Sequence, residues 1–269
     1  MTTTSTVETP RTPLIPVRTT GWRMGYANLA RKEFGQWWGT KMWWIQSLMW
    51  LIVLNGITTA IMLDSGGMSD AELMNETVMS FFLISVTAVG IAIVLTIQGA
   101  IVGEKELGTA AWVMSKPASR TSFVLSKLTA YFVGFAVTAL VIPSAVFLVE
   151  ARLLLPEPVD YASFALGMGI LALAMLFFIV LTLALGTVFK GRGPIAGIGI
   201  GLILVGQFFK GMLPLSLVLL TPWLLGDVAG SFAMDTTPEW NRMTPLVAIV
   251  IETLVLGYLA IMRFKREEF

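Results

Sequence analysis

Residues 101–127 read IVGEKELGTAAWVMSKPASRTSFVLSK, the longest polar interruption on the basic side of a very apolar chain. Glu104, Lys105 and Glu106 end one hydrophobic run. Leu107, Ala110, Ala111 and Met114 then recur at i, i+3, i+4 and i+7, the apolar stripe of a short helix. Pro117 stops that helix, because its ring pushes Lys116 out of helical geometry. Ser119 or Ser122 is placed to cap the next helix, and Lys127 marks where that helix enters lipid. The spacing predicts a small amphipathic helix held between two membrane spans. Such an element either docks a soluble partner or lies as a loop on headgroups, and spacing leaves both readings open.

Working outward, composition sets the class. Hydrophobic residues are 56% of the chain, charged residues 13%, and the mean hydropathy is +0.80. A soluble domain carries roughly a quarter charged residues, so this is an integral membrane protein. Its apolar runs reach the ~20 residues a membrane helix needs, and the alternating ten-residue segments of a β-barrel are absent. With no Cys and no His, disulfides, thiol chemistry and histidine metal sites are excluded.

Residues 1–21 hold eight threonines with Pro10, Pro13 and Pro16, and read as a flexible polar tail without the apolar core of a signal peptide. In residues 22–41, Trp22, Tyr26, Leu29, Ala30, Phe34, Trp37 and Trp38 form one apolar stripe. Arg23, Arg31, Lys32 and Lys41 lie among them, with Glu33 beside Lys32. Tryptophan on the apolar side with basic residues opposite is the pattern of a helix lying in the membrane interface. A basic juxtamembrane segment with an aromatic anchor is the plainer alternative.

Six spans are expected, at about 42–63, 78–102, 128–148, 164–189, 194–209 and 245–262. Trp43 and Trp44 sit at the inner edge of the first, and Pro143 is expected to kink the third. Between the fifth and sixth lies a further apolar stretch, but Pro214 and Pro222 cut it into pieces too short to cross. Charge agrees. With the N-terminus inside and six spans, only Arg152, Lys210 and Arg242 of the 18 Lys and Arg residues fall outside. A seventh span would move Arg263, Lys265 and Arg266 outside. Residues 211–232 therefore read as a re-entrant or interfacial helical pair on the outer face, which needs burial in protein. The outer loop 64–77 is acidic (Asp64, Asp70, Glu72, Glu76) and names no ligand.

Catalytic chemistry is not evident. No Gly-Lys dipeptide occurs, so the chain has no phosphate-binding P-loop. Within the expected spans the one formal charge is Glu252, in the outer third of the sixth. An intramembrane acid is a candidate for a transport role, or it satisfies local groups. Gln46, Asn55 and Gln98 are expected to bond between helices rather than to bind a ligand. Gly193, Gly197 and Gly201, each four apart, form a small-residue face for packing inside one subunit or for a subunit interface.

These residues carry a resemblance. Residues 103–109 read Gly-Glu-Lys-Glu-Leu-Gly-Thr, closing the second span. Residues 115–120 read Ser-Lys-Pro-Ala-Ser-Arg, and Lys127 opens the third. Together with Arg31–Lys32–Glu33–Phe34 and the basic end at 263–266, they resemble a permease subunit of the ABC-2 superfamily of ATP-binding-cassette transporters. The resemblance covers residues 22–269, read as a single transmembrane domain. It implies an all-α membrane protein whose loop at 104–120 is a cytoplasmic coupling helix, seated in a cleft of a separate ATPase subunit. Glu104, Lys105, Glu106, Leu107, Gly108, Thr109, Ser115, Lys116, Pro117 and Arg120 would make that contact. Glu104 and Glu106 would cap the coupling helix or meet basic groups of the ATPase, while Gly108 and Thr109 would allow close approach. Residues 22–41 would be the interfacial connecting helix beside it.

The same resemblance implies two ATPase copies that hold ATP and magnesium, with no cofactor on this chain. It further implies a second permease, identical or related, and a bacterial inner-membrane location with both termini cytoplasmic. No nucleic-acid partner is expected. The implied activity is export of a hydrophobic or amphipathic substrate. A membrane anchor that moves nothing, or an ion-coupled transporter using Glu252, are the alternatives.

Overall fold

The computed structural model describes residues 21–64 and 66–267; the polar tail read over residues 1–21 lies outside them apart from Gly21. Among the described residues, six helices are long and apolar enough to cross a membrane: Met42–Leu63, Asp70–Glu106, Arg120–Leu154, Tyr161–Val188, Arg192–Phe209 and Met243–Lys265. They match the six expected spans in order, and no strand occurs among the described residues. The second and third are longer than read, because their polar ends continue the helix beyond the apolar window. As a result Lys127 and Glu150 both lie within the third span, and Glu252 is not the one charge carried by these helices.

The fourth span is the centre of the bundle. It is apolar on every side, and such a helix belongs inside. Of its apolar window 67% is buried, against 22% for the fifth and sixth spans, which are therefore peripheral. It begins at Asp160, whose carboxylate accepts from the Ser163 amide at 2.8 Å. It packs against the second, third, fifth and sixth spans. Phenylalanines lock its start in place: Phe147 and Phe164 stack with centroids 5.4 Å apart, and Phe81 lies 4.4 Å from Phe147.

Three spans are not uniformly α-helical. Leu51–Asn55, Ser85–Val89 and Ala136–Val141 are π-helical turns. The last lies just before Pro143. A wider turn there accommodates the missing proline N–H and moves the preceding carbonyls away from the ring. The irregularity expected at Pro143 thus takes the form of a π turn within a helix that runs on to Leu154. Asn55 Nδ2 donates to the Pro143 carbonyl (3.0 Å) and to Glu150 (3.1 Å), tying the first span to the third. Gln98 behaves otherwise than expected: its amide donates to Leu95 in its own helix.

The stretch read as re-entrant divides at its prolines into a short helix Leu215–Val218, a tight turn Pro222–Leu224 and a helix Leu225–Ala233. The last is buried against the second and fourth spans, and Lys210 pairs with Asp227 at 2.6 Å. None of the three is long enough to cross.

Both ends of the described chain meet the start of the third span. The Trp22 carbonyl accepts from Ser119 and Ser122, and the carbonyls of Phe264 and Lys265 accept from Arg120. The two termini of the bundle therefore lie at one end, which is the end rich in lysine and arginine.

Candidate docking site

Three segments converge at that end: the helix Tyr26–Trp38, the loop between the second and third spans, and the last turn of the sixth. The helix Tyr26–Trp38 lies along the third span and buries Leu29, Ala30, Glu33 and Trp37. These positions fall on one helical face. Trp37 is seated over Gly134, where an added Cβ would come within 2.4 Å of the indole. Tyr26 donates to Thr129 at 2.8 Å. Trp22, Arg31 and Lys32 are exposed, and Phe34 and Trp38 are half-buried. The face that this helix buries in the protein includes an acid.

That acid is answered by Lys127. Only 2% of Lys127 is exposed, and its Nζ lies 2.9 Å from Glu33 Oε1 and 2.7 Å from Glu104 Oε1. Lys32 closes the cluster, 2.7 Å from Glu104 and 3.5 Å from Glu33. Two carboxylates and two ammonium groups leave no net charge. Burial lowers the pKa of Lys32, but the hydrogen bond and charge of Glu104, with those of Glu33, outweigh it and hold the ammonium above its ordinary value. With that sign, the stabilisation from Lys32 is fully present below about pH 10 and is lost only at higher pH. Lys127, expected where the third span enters lipid, is also an internal counter-charge to two carboxylates carried by other elements.

The rest of the loop is held from two sides. Lys105 reaches Glu267 at 3.0 Å and the Thr187 carbonyl at 3.4 Å. Arg120 donates to the carbonyls of Phe264 (3.2 Å), Lys265 (2.8 Å) and Glu267. Ser119 caps the third span by accepting from the Ser122 amide at 2.9 Å. Glu106 lies 3.8 Å from Arg192, with both side chains about half exposed, and this contact adds little.

The short helix spans Thr109–Met114. It starts at Gly108, whose φ of +69° is a left-handed conformation that strains other residues. This glycine breaks the chain direction, so Leu107 is not on the helix that follows. The predicted stripe is corrected accordingly. Ala110 and Val113 face inward, Ala111 and Met114 are partly buried, and Leu107 turns outward with 78% exposure. Trp112 is 65% exposed, and the Lys116 ammonium lies 5.3 Å from its ring centroid. Thr109 donates to the Glu104 carbonyl, and Ser115, Lys116 and Pro117 are exposed. A rigidly mounted ledge therefore presents a leucine, a tryptophan and a lysine away from the bundle.

Other expected residues lie elsewhere. Glu252 is half-buried, with no hydrogen bond or ion pair among the described residues. A Cβ added at Gly193, Gly197 or Gly201 would meet nothing within 4 Å, so among the described residues nothing packs on this face. The Glu33–Lys127 pair was missed in the sequence. The available signal was position: Glu33 lies four residues from both Leu29 and Trp37, on the face that burial selects.

This is the architecture of a multi-pass helical membrane protein whose polar end is assembled around the loop joining its second and third spans. The chain belongs to the ABC-2 family of transporter proteins, whose family profile matches residues 27–269. Members are membrane components of ATP-binding-cassette transporters, which in general work with an ATPase subunit. The chain is also similar to the uncharacterized transmembrane protein YxlG of Bacillus subtilis (strain 168), with 29% identity over 148 residues. That match takes in 54% of each protein, so the chain is aligned to about half the length of this relative.

Proposed function

We propose that this chain is the permease subunit of an exporter for a hydrophobic or amphipathic substrate, driven by ATP hydrolysed in a separate subunit. The ledge of Leu107 and Trp112 carries the reading. Large apolar side chains on a short helix, at the polar end of a membrane bundle and braced by buried ions, suit insertion into a cleft of a soluble partner. The polar end is then cytoplasmic, in keeping with its positive charge, and both termini are there too. Residues 104–120 act as the coupling helix and the helix Tyr26–Trp38 as the interfacial helix beside it. Two ATPase copies bind ATP and magnesium.

The test is to purify the tagged chain from its native membrane and assay co-purifying ATPase activity. The expected result is a retained ATPase whose turnover changes with substitutions in residues 104–120. Turnover indifferent to all of them overturns the coupling reading. Pull-down of a soluble complex without ATPase activity would identify an anchor, and proton-driven uptake lost in Glu252→Gln would identify an ion-coupled transporter.

A second permease, identical or related, covers the open glycine face of the fifth span, since small residues there let another helix approach closely. Gly197→Cys is expected to form an interchain disulfide on mild oxidation, seen as a doubled mass on a non-reducing gel. Gly199→Cys, which faces Val94 inside the subunit, is expected to form none. Equal cross-linking at both positions removes the assignment.

A further inference from the structure

The groove between the fourth and sixth spans runs up to the docking site and shares with it only the last turn of the sixth span and Thr187. It is an open cavity of about 510 Å³, walled by Leu181, Ala184 and Leu185 on one side and Leu256, Leu259 and Met262 on the other. Arg263 and Arg266 stand at its end. Both are exposed, and neither has an acidic partner within salt-bridge distance among the described residues. We propose that this groove binds an anionic phospholipid of the leaflet on the basic side, with an acyl chain between the two spans and the phosphate held by Arg263 and Arg266. The proposal needs the membrane setting of the bundle and not its transport role.

Length identifies the occupant. From Leu256 to Arg266 a helix rises about 15 Å, half of the ~30 Å hydrocarbon core. The groove therefore reaches from the midplane to the headgroups of one leaflet, the reach of one acyl chain. Its walls are apolar along that length apart from the Thr187 and Tyr258 hydroxyls, and formal charge appears only at the end that holds Arg263 and Arg266. Two guanidinium groups, forked donors that fit phosphate oxygens, complement a negative headgroup.

The end of a helix ordinarily repels an anion, because its last carbonyls carry partial negative charge. Here those carbonyls are already satisfied. Arg120 donates to Phe264, Lys265 and Glu267 and brings its own positive charge. The Glu267 carboxylate is held by Lys105 at 3.0 Å. The last turn is therefore fixed, and its negative groups are compensated where the phosphate would sit.

The experiment uses the full chain in phosphatidylcholine nanodiscs containing a trace of phosphatidylglycerol with a photoreactive group in its acyl chain. After irradiation, labelled peptides are mapped by mass spectrometry. Label is expected to concentrate on residues 181–188 and 256–262. Arg263→Ala with Arg266→Ala should lower it roughly thirtyfold, while Arg152→Ala, on an exposed arginine of the third span's far end, should leave it unchanged. Leu259→Trp, which fills the groove without altering charge, should also lower it. Excess inorganic phosphate should not compete, because the acyl chain anchors the ligand. Competition by free phosphate, equal labelling by a phosphatidylcholine probe, even labelling around all spans, or no loss in the double variant overturns the proposal. So does cross-linking of the groove to a second copy, which would make it an interface.

Discussion

Lys127→Met is expected to destabilise the protein by about 3–5 kcal/mol, the usual result of stripping the partner from buried charges. The reason is specific to the cluster. Glu33 and Glu104 share the Lys127 ammonium through one oxygen each, and Glu33 is only 5% exposed. After the substitution Glu104 keeps Lys32 at 2.7 Å, whereas Glu33 keeps it only at 3.5 Å. Glu33 is the stranded charge. Adding Glu33→Gln to Lys127→Met should therefore recover more stability than adding Glu104→Gln, a coupling that a double-mutant cycle reads directly. Denaturant unfolding in detergent, followed by tryptophan fluorescence, measures all three. Glu106→Gln serves as the internal standard: its contact with Arg192 is long and exposed, and its removal should cost under about 1 kcal/mol. If Lys127→Met unfolds no more readily than Glu106→Gln, the cluster does not hold the loop.

The spans were legible because an apolar run long enough to cross lipid carries its own signal, and each of the six helices falls where its run lies. The prolines at 214 and 222 likewise divided the outer segment at the points where its pieces end. Less visible were the ends of the helices, where polar residues continue the helical hydrogen bonding after hydropathy has dropped. The ion cluster was hidden for a related reason. Glu33 and Lys127 are 94 residues apart, each sits beside other polar residues, and each alone reads as a chain emerging into water. Their neutralisation exists only once two helices lie side by side. Gly108 misled the stripe at 107–114 because a left-handed residue resets the helical phase, and spacing counts straight across it. The small-residue face of Gly193, Gly197 and Gly201 is legible in its spacing, but only the packing of the fifth span shows that no described residue fills it.

Replacing both Leu107 and Trp112 with aspartate is expected to abolish retention of the ATPase while leaving the permease folded. Neither side chain is needed by the bundle: they are 78% and 65% exposed, whereas Ala110 and Val113 on the inward side hold the helix in place. An anchoring tryptophan at a protein interface is worth about 2 kcal/mol or more, so Trp112→Asp alone should weaken binding by roughly thirtyfold. Lys116→Ala should do less, since an exposed cation–π contact contributes only about 0.5–1 kcal/mol. The readout is the amount of ATPase held by the purified permease across a salt series, with the unfolding midpoint as the control for folding. Val113→Asp provides the contrast, because burying a carboxylate there should lower the midpoint as well as the retention. A loop that merely rests on headgroups behaves differently. Its aspartate variants would detach from lipid vesicles yet hold the ATPase as tightly as the unmodified chain. That outcome would move the partner to another surface, because no other part of the loop turns comparable apolar area away from the protein.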